Sequence, residues 1–385
     1  MPRDSDNTGR LLLGCLLYTA GSAILYVSPA YLADLGIRLG IDEAQMGELS
    51  AAENIGIGLA SLLAVWWNGR VGRNTVAILG VLACVAGDAI SCLSRDLHVL
   101  LLARFATGLL GEGTLFVLAF MVLSAVRNPD RALGFALTAV VLFGSLVLGA
   151  GSVLNDIRGD SGLLLPLAVA ALAVLPAVRW MPAAAVPAEP ANGPSTGGVG
   201  NWRALIAVIA MAVWFGAPGG FWTFADAAAA SRHIPAASIE TALAIGNVIG
   251  LLGSVLAALQ GNRRGRGGPI LLGTLGLCLS VAAFQRSNQI AALAATLAAF
   301  NIFWNYATVY QMALVVVLDR TGRATAGISA AQVLGFAAGG FVSGFAIVAD
   351  GYSALTVMVT VFAVAGVLLL AVCLRPGART VVQAE

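Results

Sequence analysis

Residues Glu53 to Asn74 read ENIGIGLASLLAVWWNGRVGRN, an apolar run that opens with an acid and an amide and closes in an arginine-glycine loop. The same layout returns 193 positions later. Asn54 maps to Asn247, Arg70 to Arg263, Gly72 to Gly265, Arg73 to Arg266 and Gly80 to Gly273. With no gap, Arg127 then falls on Arg320, Gly134 on Gly327, Phe143 on Phe336 and Gly151 on Gly344. One register held from Asn54 to Gly151 indicates two tandem copies of one membrane unit, the pattern of a secondary transporter built from parallel halves.

The composition agrees. Apolar residues make up 59% of the 385 and charged ones 10%, with a mean hydropathy of +0.90. A soluble chain of this length needs a charged surface, so these values place it in a bilayer. All 21 basic residues are arginine, which together with the alanine and glycine content points to a GC-rich bacterial source. The five cysteines (Cys15, Cys84, Cys92, Cys278, Cys373) sit in apolar runs with no CxxC spacing and no histidine beside them. They read as packing residues in the lipid phase, not as disulfides or metal ligands. The polar first ten residues lead into a run long enough to stay as a span, so no cleavable signal is expected.

A span needs roughly 20 apolar residues, and twelve such runs can be drawn. The first half holds Arg10–Tyr31, Met46–Trp67, Thr75–Leu93, Val99–Val126, Ala132–Leu154 and Gly162–Val178. The second holds Ala204–Ala225, Ile239–Leu259, Pro269–Phe284, Ile290–Leu318, Ala324–Val348 and Ala354–Leu374. The expectation is an all-α membrane protein: a six-helix bundle over residues 1–180, a linker over 181–201 rich in proline, alanine and glycine, and a second bundle over 202–385. With the amino terminus inside, the outer segments hold Arg38, Arg95, Arg158, Arg232 and Arg286, and Arg104 lies inside a span. The other arginines, among them Arg3, Arg70, Arg73, Arg264, Arg320, Arg375 and Arg379, fall on the inner side. That bias predicts both termini in the cytoplasm.

Two six-span halves, a central linker and the arginine-glycine loop resemble the major facilitator superfamily over nearly the whole chain. Within it the sequence looks most like the bacterial twelve-span branch of drug/proton antiporters and sugar-efflux permeases. The family loop reads G-x-x-x-D-R-x-G-R-[KR]; Arg70, Gly72 and Arg73 match it and form the expected gating loop. Gly69 stands at the aspartate position, Val65 at the first glycine and Asn74 at the last basic residue. Arg104, Gly108, Gly111 and Gly113 follow the fourth-span pattern, and Gly144, Gly149 and Gly151 that of the fifth, without its proline. The resemblance implies the major facilitator fold in a bacterial inner membrane, alternating access, and a cavity lined by spans 1, 4, 7 and 10.

Ionisable groups in hydrocarbon are costly and mark pathways or coupling sites. Glu53, Asp88 and Arg104 fall at a similar depth, so Arg104 is expected to pair with Asp88, Glu53 or both. The result is either a static pair that fixes packing or an acid that takes up a proton and releases Arg104. Glu112, near mid-membrane between Gly111 and Gly113, is the first candidate for proton coupling and for solute contact, and Asn305 stands at its repeat-equivalent position. In span 10, NIFWNYATVYQM sets Asn301, Asn305 and Thr308 on one face with Gln311 beside them, flanked by Trp304, Tyr306 and Tyr310. Such a stripe suits a wet cavity, with interhelical amide contacts as the other reading. Tyr18, Ser22 and Tyr26 recur every four residues in span 1, and Trp222 follows a Pro218-Gly219-Gly220 break expected to act as a hinge. Asp226 is expected near the outer headgroups.

These residues predict a proton-coupled transporter of a small organic solute, acting as a monomer, and the branch resemblance alone implies that it works in the efflux direction. The alternatives are a proton-coupled uptake permease or uniporter for a sugar, amino acid or metallophore-like solute, and a lipid flippase or non-pumping sensor. No phosphate-binding loop, nucleophile-base pair or metal spacing occurs, so no catalysis, cofactor, metal or nucleic-acid partner is expected.

Overall fold

A computed structural model describes residues 4–158, 162–182, 202–263, 265–319 and 323–373. Residues 183–201 of the expected linker lie outside them, as do Arg3, Arg264, Arg320, Arg375 and Arg379 of the expected charge bias.

Polar residues in the loops start the helices and apolar runs carry them across. The first helix, α1, covers Asp4–Leu39, and α2 covers Glu43–Trp67. Asp42 opens α2 with a capping box: its side chain accepts from Gln45 N at 2.9 Å, and Gln45 Oε1 accepts from Asp42 N at 3.1 Å. Helix α3 spans Arg73–Leu93. The loop before it turns at Gly69, whose φ of +86° favours glycine. Helix α4 runs Leu97–Leu123 with a widened π turn at Thr107–Glu112. Asp96 caps its start by accepting from His98 N at 2.8 Å. Helix α5 is Pro129–Gly149, continued past Ala150 by Gly151–Arg158, and α6 is Leu164–Trp180.

The second half holds α7 (Trp202–Ala230), α8 (Ala236–Gln260), α9 (Gly267–Phe284) and α10 (Ile290–Leu318). It ends with α11 (Ile328–Asp350, preceded by Arg323–Ala326) and α12 (Ala354–Cys373). Ten of these helices are long and apolar enough to cross a membrane; Glu43–Trp67 and the shorter Leu164–Trp180 fill the other two expected places. Several helices exceed their expected spans, because the turns at their ends stay helical beyond the apolar run.

Packing repeats as the sequence does. Helix α1 packs on α4, α5 and α6, α2 on α4, and α3 on α4 and α6; α7 packs on α10, α11 and α12, α8 on α10, and α9 on α10 and α12. Even the caps recur. The Arg38 guanidinium donates to Ser91 O at 2.6 Å and Cys92 O at 2.9 Å, closing the end of α3. Arg232 does the same for α9 through Phe284 O, and Ser91 and Phe284 are partners in the repeat register.

The halves meet through α2 on α11, α5 on α8, and α1 on α7. At the α2–α11 seam a Cβ on Gly47 would lie 2.7 Å from Gly340 O, so only glycine allows that approach. Tyr352 donates to Glu43 Oε1 at 2.7 Å, Ser50 and Thr223 share a hydrogen bond of 3.3 Å, and Ser152 N donates to Glu240 Oε2 at 2.8 Å. All these contacts lie in the half of the bundle opposite the side on which α1 begins, called the distal side below. The Pro218-Gly219-Gly220 stretch departs from expectation. Helix α7 runs unbroken through it, and its small residues let α11 approach, with Gly219 against the Phe336 backbone.

Candidate functional site

A cavity of about 170 Å³ lies between the halves. The first half supplies Tyr18, Ser22, Leu25 and Tyr26 of α1 and Phe116 of α4. From the second come Phe215 and Trp222 of α7, Asn247 of α8, and Asn301, Trp304, Asn305 and Thr308 of α10. Helix α11 closes the wall with Ser329, Gln332, Val333 and Phe336. Four-residue spacing puts Tyr18, Ser22 and Tyr26 on one stripe of α1, and the α10 stripe faces it across the gap. The distal roof is Trp222 and Asn247. Ser329 and Thr308 lie towards the side on which α1 begins.

The wall is aromatic and amide, and none of these lining residues carries a formal charge. Trp222 stacks parallel to Phe300 with centroids 6.2 Å apart, and Trp304 lies over Phe336 at 6.1 Å and 25°. Asn301 Nδ2 donates to Leu297 O at 3.0 Å, and Asn305 Nδ2 to Asn301 O at 2.9 Å. With one N–H of each amide tied to the backbone, the oxygen and the second N–H of each remain for a solute's polar groups. Broad ring faces beside a few placed polar groups are the usual make-up of a small-molecule site.

Charge gathers elsewhere, inside the first half. Arg104 is completely buried and ion-pairs with Glu53, with Asp88 at 2.9 Å and with Glu112 at 3.2 Å. Tyr31 donates to the second oxygen of Glu53 at 2.8 Å, and its ring lies 5.5 Å from the guanidinium carbon. The π turn sets the last contact. Its extra residue per turn swings Glu112 back along α4 towards Arg104, eight positions earlier. At full ionisation the cluster would hold three negative charges and one positive one in a dry interior, a costly state that proton binding relieves.

The expected residues thus divide. Glu53, Asp88, Arg104 and Glu112 come together as one cluster, while Tyr18, Tyr26, Trp222, Asn301, Trp304 and Asn305 line the cavity. Glu112, expected in both, faces Arg104 and is absent from the cavity lining. Tyr306 lies outside the lining and donates to Gln260 Oε1 at 2.9 Å on α8. Gln311 is fully buried away from the cavity, and neither of its amide atoms has a partner among the described residues. In the loop expected to gate, Arg70 donates to Trp66 O, Gly72 precedes α3 and Arg73 begins it. Asp226 is buried between helices, at 7% exposure, near the distal end of α7.

Sequence reasoning missed Phe116, Phe215, Ser329, Gln332 and Tyr31, which lie in runs without a distinctive polar spacing. Asn247 carries one sequence signal, its repeat match to Asn54, and that match points to a structural or gating role and not to solute binding. The pair has diverged: Asn54 donates to Ser50 O on its own helix, whereas Asn247 reaches Tyr26 O at 3.4 Å across the interface.

No protein-family model and no curated protein matches the sequence. Among solved structures, the nucleoside transporter NupG matches 96% of this chain and 98% of its own length, with a TM-score of 0.71 and 14% identity. A point-substituted form of NupG matches with a TM-score of 0.74, also at 14% identity, over 96% of this chain and 99% of that one. The chain therefore has the fold of that transporter over 96% of its length.

Proposed function

We propose that the chain is a secondary transporter that moves a small, uncharged, ring-bearing polar solute through the central cavity by alternating access. Protons bound at the Arg104 cluster drive it. The observation that carries this reading is the separation of roles: aromatic faces and amides form the solute wall, while the buried charges stand behind α4. An uncharged wall gives no counter-ion to a phosphorylated or cationic compound, whose desolvation would go unpaid. A ring with hydroxyl or imide donors, as in a nucleoside or a sugar, finds stacking surfaces and acceptor oxygens.

Charge and solute communicate through α4. A Cβ on Gly21 of α1 would lie 2.7 Å from Glu112 O and 2.5 Å from Phe116 N, so α1 rests on the turn joining the cluster to the cavity. Phe116 meets Tyr18 at 5.1 Å between centroids. Protonation of Glu112 frees it from Arg104, and the π turn relays the shift to Phe116.

Uptake fits better than efflux. Export of amphipathic cations calls for a carboxylate in the wall, and Glu112 faces Arg104 instead. The likeness to a nucleoside transporter favours a nucleoside as the first compound to try. With the termini in the cytoplasm, as the arginine bias predicts, the distal contacts close the outer side and the solute site faces inward.

The test is thermal stability of the purified chain against uridine, glucose, an amino acid, a mononucleotide and a cationic dye. A ligand at a hundred times its Kd stabilises by about 2.7 kcal/mol. Uridine or glucose is expected to raise Tm and the mononucleotide and dye to leave it unchanged. Stabilisation by the mononucleotide or the dye alone overturns the reading.

A further inference from the structure

Proline at position 29 lies inside α1 and has no N–H to donate to the carbonyl four residues back, at Leu25. That carbonyl points to the cavity roof. It accepts Ser28 Oγ from its own helix at 3.2 Å and the Trp222 indole Nε1–H from the opposite half at 2.9 Å. One residue on, Tyr26 O accepts from Asn247 Nδ2, again across the interface, at 3.4 Å. Trp222 is 1% exposed, and its indole lines the solute site. An indole N–H buried in hydrocarbon needs an acceptor, and this one takes a backbone oxygen that a regular helix would have kept for itself.

We infer that the Leu25 carbonyl, released by Pro29, is the catch of the distal gate, and that Trp222 is the positioning residue that fastens it. In this state the bond joins α1 to α7 at the roof of the cavity, closing the path to the distal side. In the opposite state α1 and α7 separate there, and Trp222 must give up the bond. Because the same indole faces the solute, a bound ring that shifts Trp222 acts on the gate directly, with no relay between. The inference rests on the alternating-access reading. Its readout needs no solute, so it can fail while transport stands.

The experiment measures the gate in the full-length chain in lipid nanodiscs, by electron–electron double resonance. Spin labels are placed at exposed His98, in the first turn of α4, and at exposed Asn288, in the loop before α10, both on the distal side, with the native cysteines replaced by serine. Trp222→Phe keeps a ring but removes the donor. Pro29→Ala returns an N–H to Leu25 O and competes for it from within the helix. Each is expected to raise the ratio of long to short distances about threefold to tenfold, the worth of one net hydrogen bond. Because both act on one oxygen, the double variant is expected to open the gate no further than the larger single effect. Two outcomes overturn the inference: unchanged distances in both single variants, or a double variant whose effect is the product of the two. Uptake by proteoliposomes of the same variants separates this from the functional reading, since intact uptake with unmoved distances sinks the catch alone.

Discussion

At the scale of single residues, Arg104 decides the most. Its guanidinium is the positive partner of three buried carboxylates, so removing it strands charge in the bundle and does not merely delete a contact. Breaking a buried pair from one side costs about 3–5 kcal/mol. Arg104→Leu is therefore expected to lower thermal stability in detergent sharply, while Glu112→Gln, which keeps shape and hydrogen bonding, stays close to the parent. Equal melting of the two variants would contradict the cluster as drawn. Much of this was legible. Charges in apolar runs are conspicuous, and depth counting put Glu53, Asp88 and Arg104 in one layer. The direction of Glu112 was not, because a regular helix would have carried it round towards the cavity. The π turn at Thr107–Glu112 redirects it, and glycines at 108 and 111 permit that turn without announcing it.

At the scale of elements, glycine sets how closely helices pack. A Cβ on Gly339 would overlap the carbonyl of Gly216 on α7, whereas one on Gly134 of α5 meets nothing within 4 Å. Gly339→Ala is expected to destabilise by about 1–3 kcal/mol through overpacking. Gly134→Ala should be neutral or add up to about 1 kcal/mol through helix propensity. Melting curves of the pair check both signs. Gly335, Gly339, Gly340 and Gly344 recur at about four-residue intervals, and that spacing by itself marks α11 as a helix others can approach closely. The Pro218-Gly219-Gly220 stretch misled, because proline and glycine signal a break only where the neighbours leave room for one. Packing of α7 against α11 and α12 keeps the helix continuous through the stretch. Leu25 and Pro29 drew no notice for a related reason: a freed carbonyl has meaning only once its partner, 197 residues away, is in place.

At the scale of the whole molecule, the repeat foretold most of the architecture, since a register of 193 residues dictates matched helices, matched caps and matched pairs. The α2–α11 and α5–α8 seams, equivalent in the repeat, are where the copies diverge. Gly47 lets α2 lie tight against α11, while its repeat partner Glu240 reaches from α8 to the backbone N–H of Ser152, where α5 is interrupted. The α5–α8 seam thus carries a polar contact where the α2–α11 seam has a glycine. Glu240→Ala is expected to raise labelling of distal-side reporter cysteines severalfold, and unchanged labelling would remove that seam from the gate. Which copy would keep its glycine and which would gain a carboxylate was not legible, because a repeat alignment shows the match and not the face each residue presents. The separation of proton and solute sites remains the central claim, and one measurement addresses it most directly. Proteoliposomes holding the Glu112→Gln variant are tested with the solute that the binding screen selects, first for uptake under an imposed pH gradient and then for exchange with no gradient. Loss of gradient-driven uptake with exchange intact is the predicted result. Equal loss of both, or gradient-driven uptake at the parent rate, would contradict it.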